Sequence, residues 1–362
     1  MPSKFYAQRF AVVGDIHGAG TGTLEVSNLI KSWNPDFIIT LGDNYYPYVS
    51  CIDSQVGQFY HEFINPYIGI YGQGDTVNRF FPAIGNHDIE NNGIINYLNY
   101  FVLPNNERYY DFVKGDVHFF VLNSNTNEPD GIADTSIQAQ WLENKLAASV
   151  SDYNIVYFHH PPFSSGYHGS NTYMQWPFRQ WGATAVLSSH DHYYERLIIN
   201  GFPFFINGAG GGTLYTVYNY VDGSQFHYSL EHGAMLVDAN NDSILFEFFN
   251  ISDSLIDKYS INNNQPSNND EPIKNKLNIF QNEPNPFTSN TMIKFYLPRQ
   301  GKVEIKIYDV FGKEIGILLD RYMDAGFYDV KWEANKLKNG VYFYCLYFEN
   351  IIKVNKAMVF DK

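Results

Sequence analysis

The sequence predicts an α/β domain followed by a small all-β sandwich. Three observations carry this expectation. As far as Ile261, short apolar runs ending in polar residues are interspersed with segments of helical spacing. A polar, Asn-rich stretch over 262–276 then interrupts the apolar pattern and reads as a linker. Beyond it the helical spacing is gone, apolar residues alternate, and glycines recur between the runs. The 362 residues suit two domains, 1–261 and 277–362.

In chain order, Phe10 to Val13 is an apolar strand ending in Gly14-Asp15. Leu24, Leu29, Ile30 and Trp33 have helical spacing. Phe37 to Leu41 ends in Gly42-Asp43, and Phe80 to Ile84 in Gly85-Asn86-His87. Asp116 to Leu122 reads as a strand and Ile137 to Val150 as an amphipathic helix. Ile155 to Phe158 leads into His159-His160-Pro161, and Ala185 to Leu187 into Ser188-Ser189-His190. Phe202 to Ile206, Ala234 to Val237 and Ile244 to Phe249 are expected to be antiparallel strands. In the second domain Val303, Ile305 and Ile307 alternate with Glu304, Lys306 and Tyr308, and the apolar run Val341 to Phe348 predicts a buried central strand.

Composition removes several functional classes. The net charge is −14. From Leu277 onward there are 12 basic and 10 acidic residues, net +2, so the first part carries −16. Such a surface repels polyanions, and a nucleic acid polymer is not an expected partner. The two cysteines, Cys51 and Cys345, make no disulfide framework. No run of about 18 apolar residues exists to span a membrane. The chain has neither a Gly-x-Ser-x-Gly elbow nor a Gly-x-x-x-x-Gly-Lys loop. Gly18 to Gly22 follows a strand, but its spacing is not that of a dinucleotide loop. Gly208 to Gly212 reads as a tight turn after a strand.

Chemistry concentrates in six motifs at strand ends: Gly14-Asp15-Ile16-His17-Gly18, Gly42-Asp43-Asn44-Tyr45-Tyr46, Gly85-Asn86-His87-Asp88, Val156-Tyr157-Phe158-His159-His160-Pro161, Tyr167-His168-Gly169 and Ser189-His190-Asp191-His192. Carboxyl ends of strands in an α/β sheet line one crevice. Carboxylates, an amide oxygen and imidazoles are donors that hard and borderline metals select. Any one motif would be an ordinary turn, whereas six in this order converge on one site. His61, His118, His227 and His232 fall outside the set and are expected to be structural.

This set resembles the calcineurin-like metallophosphoesterases, and within them the purple acid phosphatases, over about Phe10 to Ile261. His192-Tyr193-Tyr194-Glu195-Arg196 is similar to a run of that family as well. The resemblance implies an α+β sandwich of mixed sheets flanked by helices. It also implies two metal ions, iron with zinc, manganese or a second iron, and hydrolysis of a small phosphomonoester by a metal-bound hydroxide. Asp43 would bridge the metals. Asp15 and His192 would hold the first, and Asn86, His159 and His190 the second. His87 and His168 would contact the phosphoryl group and serve as acid, with Asp88 orienting His87; Asn86 and His160 could face substrate. Two residues compete for one position on the first metal. Other metallophosphoesterases have a histidine at His17, and purple enzymes a tyrosinate at Tyr46. His17 is preferred here, leaving Tyr46 in the pocket. Ser189 replaces the family's glycine before His190. A phosphodiesterase is the alternative activity, and an inactive surface binding protein the alternative class.

In the second domain Asn285-Pro286-Phe287, Ile307-Tyr308-Asp309-Val310-Phe311-Gly312-Lys313 and Asn339-Gly340-Val341-Tyr342-Phe343 resemble a type IX secretion sorting domain. A generic immunoglobulin-like carbohydrate-binding module is the competing reading. The resemblance implies passage through the type IX machinery to a secreted or cell-surface location on a bacterium. Met1 to Phe5 shows no cleavable signal, so an export leader is expected to be missing from this sequence.

Overall fold

The computed structural model of the chain describes residues 8–16, 20–217, 220–263, 277–279, 282, 285–297, 299–324, 326–334, 337–349 and 351–360. His17, and 264–276 of the expected linker, lie outside the described residues. The chain divides into two compact units, Met1–Pro266 and Ser267–Lys362.

The strands of the first unit are β1 (Gln8–Val13), β2 (Phe37–Thr40), β3 (Phe80–Pro82), β4 (Tyr110–Lys114), β5 (Val117–Val121), β6 (Tyr153–Tyr157), β7 (Ala185–Ser188), β8 (Tyr194–Ile199), β9 (Phe202–Asn207), β10 (Ser224–Tyr228), β11 (Gly233–Ala239), β12 (Ser243–Asn250) and β13 (Leu255–Asn262). They form a six-stranded sheet, β13-β12-β11-β1-β2-β3, and a seven-stranded sheet, β10-β8-β9-β7-β6-β5-β4. Alternate residues of β5 explain why Phe119 to Leu122 are apolar without a break. Phe119 and Val121 enter the core between the sheets, while Phe120 faces a second core with Ala139, Leu142 and Leu146 of the helix Ile137–Ala147. A strand buried on both faces loses the alternation that marks a half-exposed one. The Ser136 hydroxyl caps that helix by accepting from the Ala139 N–H at 3.2 Å.

Within the sheets β1–β2–β3 and β5–β6–β7–β9 are parallel neighbours, so their carboxyl ends emerge on one side. The antiparallel expectation for Phe202 to Ile206 therefore holds at one edge only. β9 is antiparallel to β8, but β8 sits at its other edge and β9 runs parallel to β7. The helix Gly93–Tyr100 and strand β8 went unrecognised in the sequence. β3 has only three residues, yet its carbonyls are held from several elements. Tyr97 and Tyr110 hydroxyls donate to the Pro82 carbonyl (2.8 Å each), and the Tyr157 hydroxyl donates to that of Phe81 (2.9 Å).

The second unit is an all-antiparallel sandwich of β14 (Asn278–Ile279), β15 (Asn290–Leu297), β16 (Gly301–Tyr308), β17 (Glu314–Met323), β18 (Gly326–Glu333), β19 (Gly340–Phe348) and β20 (Ile351–Val359). Its sheets are β14-β15-β18 and β17-β16-β19-β20. Val303, Ile305 and Ile307 point inward beside Ile293, Phe295, Trp332 and Leu346. β19 is central as expected, but only Tyr344, Cys345, Leu346 and Phe348 are buried; its first half is partly exposed.

Candidate metal centre

Three of the strand-end loops place a chemical side chain in left-handed backbone: Asp15 (φ 56°), Asp43 (φ 52°) and His190 (φ 68°). Asp and His tolerate this region better than most residues, yet each such position costs of order 1–3 kcal/mol unless its surroundings fix it. Here the surroundings do so. The Asp15 N–H donates to the Gly42 carbonyl (3.1 Å), tying the ends of β1 and β2. The His190 N–H donates to Asp15 Oδ2, and the His87 N–H to Asp43 Oδ1, both at 2.9 Å. Gly208 to Gly212 is more than a turn. Gly210 N–H donates to the Gly14 carbonyl (3.1 Å), a Cβ on Gly210 would stand 2.2 Å from that carbonyl, and a Cβ on Gly208 would stand 2.7 Å from Asp15 Oδ2, so these two positions require glycine to cradle the loop. Gly14 passes Ser189 as closely: its Cβ would lie 2.4 Å from that of Ser189.

The donor atoms converge around His159 Nε2. Asn86 Oδ1 is 2.9 Å from it, His190 Nδ1 3.0 Å and Asp43 Oδ2 3.4 Å. The other ring nitrogen, Nδ1, lies 3.0 Å from the Leu41 carbonyl, an acceptor only, so Nδ1 carries hydrogen. In the neutral ring Nε2 is then a lone pair facing an amide oxygen, a carboxylate and an imidazole. Either a proton or a cation must stand between them. Burial lowers the His159 pKa, but Asp43 outweighs it and brings the group up to about 9. A metal bound there would take the place of that proton. Ligand atoms about 2.1 Å from a metal are about 3.0 Å apart along octahedral edges and about 3.4 Å along tetrahedral ones. The observed separations lie in that range.

A second set repeats the pattern. His192 Nδ1 is 2.9 Å from the Thr213 carbonyl, which turns Nε2 toward Asp15 Oδ1 at 3.3 Å. That carboxylate oxygen is buried without a hydrogen-bond partner. Asp15, Asp43 and His159 present ligand atoms within 4.8 Å of one another, so Asp43 adjoins both sets. The residues present fit two cations. Burial pushes the Asp43 carboxyl up, but His159 and His87 pull it well below its ordinary range. Burial, then the cationic His159, hold the His190 imidazole neutral.

The structure brings together Asp15, Asp43, Asn86, His159, His190 and His192, with Tyr46, His87, His160 and His168 around them. The Tyr46 hydroxyl is 3.5 Å from Asp43 Oδ2, and its ring stacks on His87 at 4.0 Å. Burial and the carboxylates of Asp43 and Asp15 raise this phenol well above its ordinary range, so only a bound cation would make it tyrosinate. His87 Nε2 is 3.8 Å from Asp43 Oδ2. His168 is exposed, and its ring lies 4.1 Å from that of His190. His160 is 4.6 Å from the His190 ring, its Nδ1 2.9 Å from Ser124 Oγ, and burial followed by His159 pushes it down to about 3.

Asp88 departs from expectation. Its carboxylate is fully buried and accepts from the backbone N–H groups of Asn44 (2.9 Å), Tyr45 (3.1 Å) and Gly85 (2.7 Å) and from Asn44 Nδ2 (2.9 Å). It fastens the β2 loop to the β3 loop instead of orienting His87. Glu90 Oε1, at 3.1 Å, is the carboxylate beside the His87 ring. Asp191 was missed. It accepts from the His168 N–H (2.8 Å) and from the Ser164 hydroxyl, fixing the loop that carries His168. Its place between two histidines was the available signal. Ser189 Oγ donates to the Leu41 carbonyl (2.7 Å), the same acceptor that His159 uses. His61, His118, His227 and His232 contact other groups.

Residues 8–194 match the calcineurin-like phosphoesterase family, and residues 283–360 match a secretion system C-terminal sorting domain. The chain is 25% identical to human (Homo sapiens) tartrate-resistant acid phosphatase type 5, covering 61% of this chain and 76% of that protein. To the pig (Sus scrofa) protein of the same name it is 26% identical, covering 60% and 72%. Among solved structures, a purple acid phosphatase from yellow lupin (Lupinus luteus) seeds superposes with a TM-score of 0.58 at 19% identity, over 70% of this chain and 53% of that one. GAP50, the anchor in the inner membrane complex of Plasmodium, gives 0.55 at 19%, over 70% and 88%. These two structural likenesses concern the fold.

Proposed function

The chain belongs to the calcineurin-like phosphoesterase family, and from that premise we propose that it is a binuclear metal-dependent phosphatase hydrolysing small phosphomonoesters. The observation that carries the reading is His159 Nε2 enclosed by Asn86 Oδ1, His190 Nδ1 and Asp43 Oδ2, with the orphaned Asp15 oxygen in the neighbouring set. Asp15, His192 and Tyr46 would hold one ion; Tyr46, whose hydroxyl lies 3.5 Å from Asp43 Oδ2, takes the place for which the sequence alone preferred His17. Asn86, His159 and His190 would hold the other, and Asp43 both. Bound there, two metals supply a water acidic enough to attack phosphorus near neutral pH and neutralise the phosphoryl oxygens. The chain's own residues do the rest. His87 and His168 border the set from separate loops, each partly open to solvent, and either can donate to the departing oxygen. Asp191 holds the backbone of the His168 loop, and Glu90 Oε1 lies 3.1 Å from His87 Nδ1. The identity of the metals, iron with zinc, manganese or a second iron, belongs to the same proposal. So does delivery by the type IX secretion machinery to the surface or medium of a bacterium, which rests on the sorting-domain match.

The test is elemental analysis together with a panel of mono- and diesters. Two metals per chain, activity lost to a chelator and restored by metal, and faster monoester hydrolysis are expected. A faster diester would move the chain to the phosphodiesterases, and full activity with at most one metal would refute the binuclear reading.

A further inference from the structure

Aromatic rings border the donor set on two flanks. On the Asp43 side Tyr48 is 57% exposed, its ring 5.7 Å from Tyr46 and 6.2 Å from His87. On the His190 side Tyr167 is 74% exposed, its ring 5.1 Å from His168 and 5.8 Å from Tyr215. Tyr215 in turn stacks on His192 at 4.3 Å, with 9° between the planes. Two large rings open to water, each backed by rings that touch ligand or acid residues, form apolar walls where the leaving group of a phosphoester would lie.

The basic side chains of the first unit are engaged with other groups. Between residues 8 and 263 there are nine Lys and Arg residues. Seven pair with carboxylates, Lys114 covers the Phe81 ring and Arg179 donates to the Asn200 carbonyl. None of those partners is a residue of the site. A second or third phosphate of a condensed substrate would have to draw one of these cations away from its present partner.

We infer that the site selects a monophosphate ester whose leaving group carries a flat aromatic ring, held by Tyr48 and Tyr167, and disfavours condensed phosphates; this rests on the phosphatase reading above. The ring stacks on a tyrosine while the single phosphoryl group reaches the floor. An aromatic contact of this kind is worth about two- to twelvefold in relative specificity.

The experiment uses the full metal-loaded chain with phenyl phosphate, adenosine monophosphate, glycerol 2-phosphate and tripolyphosphate. Wild-type protein should turn over tripolyphosphate at least tenfold less efficiently than phenyl phosphate. Tyr48→Ala and Tyr167→Ala should lower the ratio of phenyl to glycerol ester kcat/KM by about two- to twelvefold, chiefly through KM. Comparing this ratio between variant and wild type cancels the intrinsic reactivity of the leaving groups. Phenylalanine at either position should restore it. Adenosine monophosphate falling in parallel would extend the aromatic class to heterocycles; its indifference would confine the class to rings on the ester oxygen. An unchanged ratio in both alanine variants, or tripolyphosphate matching phenyl phosphate, would overturn the inference while leaving a working phosphatase. Failure of the wild type on every monoester would instead overturn the phosphatase reading.

Discussion

Replacing Asp43 by asparagine tests the shared carboxylate with almost no change in shape. Asp43 Oδ1 accepts from the His87 N–H at 2.9 Å, so the amide oxygen must stay there; an NH2 would set two donors face to face. The NH2 is thereby forced into the Oδ2 position, 3.4 Å from His159 Nε2 and 3.5 Å from the Tyr46 oxygen. There a negative oxygen with lone pairs becomes a neutral donor, at the one point common to both donor sets. Removing one partner of a buried charge pair costs about 3–5 kcal/mol, or between two and four decades in an equilibrium constant. Asp43→Asn should retain at most one metal after dialysis and lose at least a hundredfold in monoester kcat/KM, with circular dichroism unchanged. A variant that still held two metals at wild-type affinity would refute the bridging role.

Four further outcomes follow from the geometry. Iron-loaded protein should be purple, and Tyr46→Phe should bleach it; a colourless protein holding both metals would return that position to His17. Asp191→Ala frees the His168 N–H and the Ser164 hydroxyl and should lower kcat by about 10–100-fold with metal content intact; loss of metal would show that Asp191 supports His190 and His192 instead. Gly14→Ala should destabilise the protein by about 1–3 kcal/mol in urea melts, with Ser189→Gly in the same chain recovering part, because a 2.9 Å contact with the Asn207 carbonyl would remain; an unchanged midpoint would contradict the close packing. Limited proteolysis should cut first within 264–276, and the fragment 1–263 should keep its phosphatase activity; a soluble but inactive fragment would show that the tail takes part in catalysis.

What could be read in advance was the strand-end chemistry. Gly-Asp, Gly-Asn-His and His-Asp-His each follow a buried parallel strand, and parallel strands emerge together, so a linear pattern translated into a spatial one. The second domain was similarly legible through the alternation in β16. What stayed hidden depended on the third dimension. Asp88 is adjacent to His87 in sequence, but its side chain turns into the protein, where four N–H groups await it. Asp191 gives no periodic or motif signal apart from its neighbours. The direction of β9 followed from a crossover that pairing alone decides. Ser189 in place of glycine reads as a lost freedom, yet in the fold its hydroxyl shares the Leu41 carbonyl with His159.

The three phenols on β3 have a mechanical meaning. Asn86 and His159 stand on different sheets, and a metal tolerates ligand distances only within about 0.2 Å. Tyr157 lies two residues before His159, and its hydroxyl grips Phe81, five residues before Asn86. Tyr97 and Tyr110 clamp the adjacent carbonyl from a helix and from the far edge of the seven-stranded sheet. Sliding one sheet over the other by a single residue, about 3.3 Å, would have to break the Tyr110 and Tyr157 bonds inside an apolar core where no water can replace them. The loops that carry Asn86 and His159 are therefore tied against sliding past each other. Their spacing is held by tyrosines outside the donor set, so deleting a single hydroxyl there would loosen the proposed centre without removing a donor.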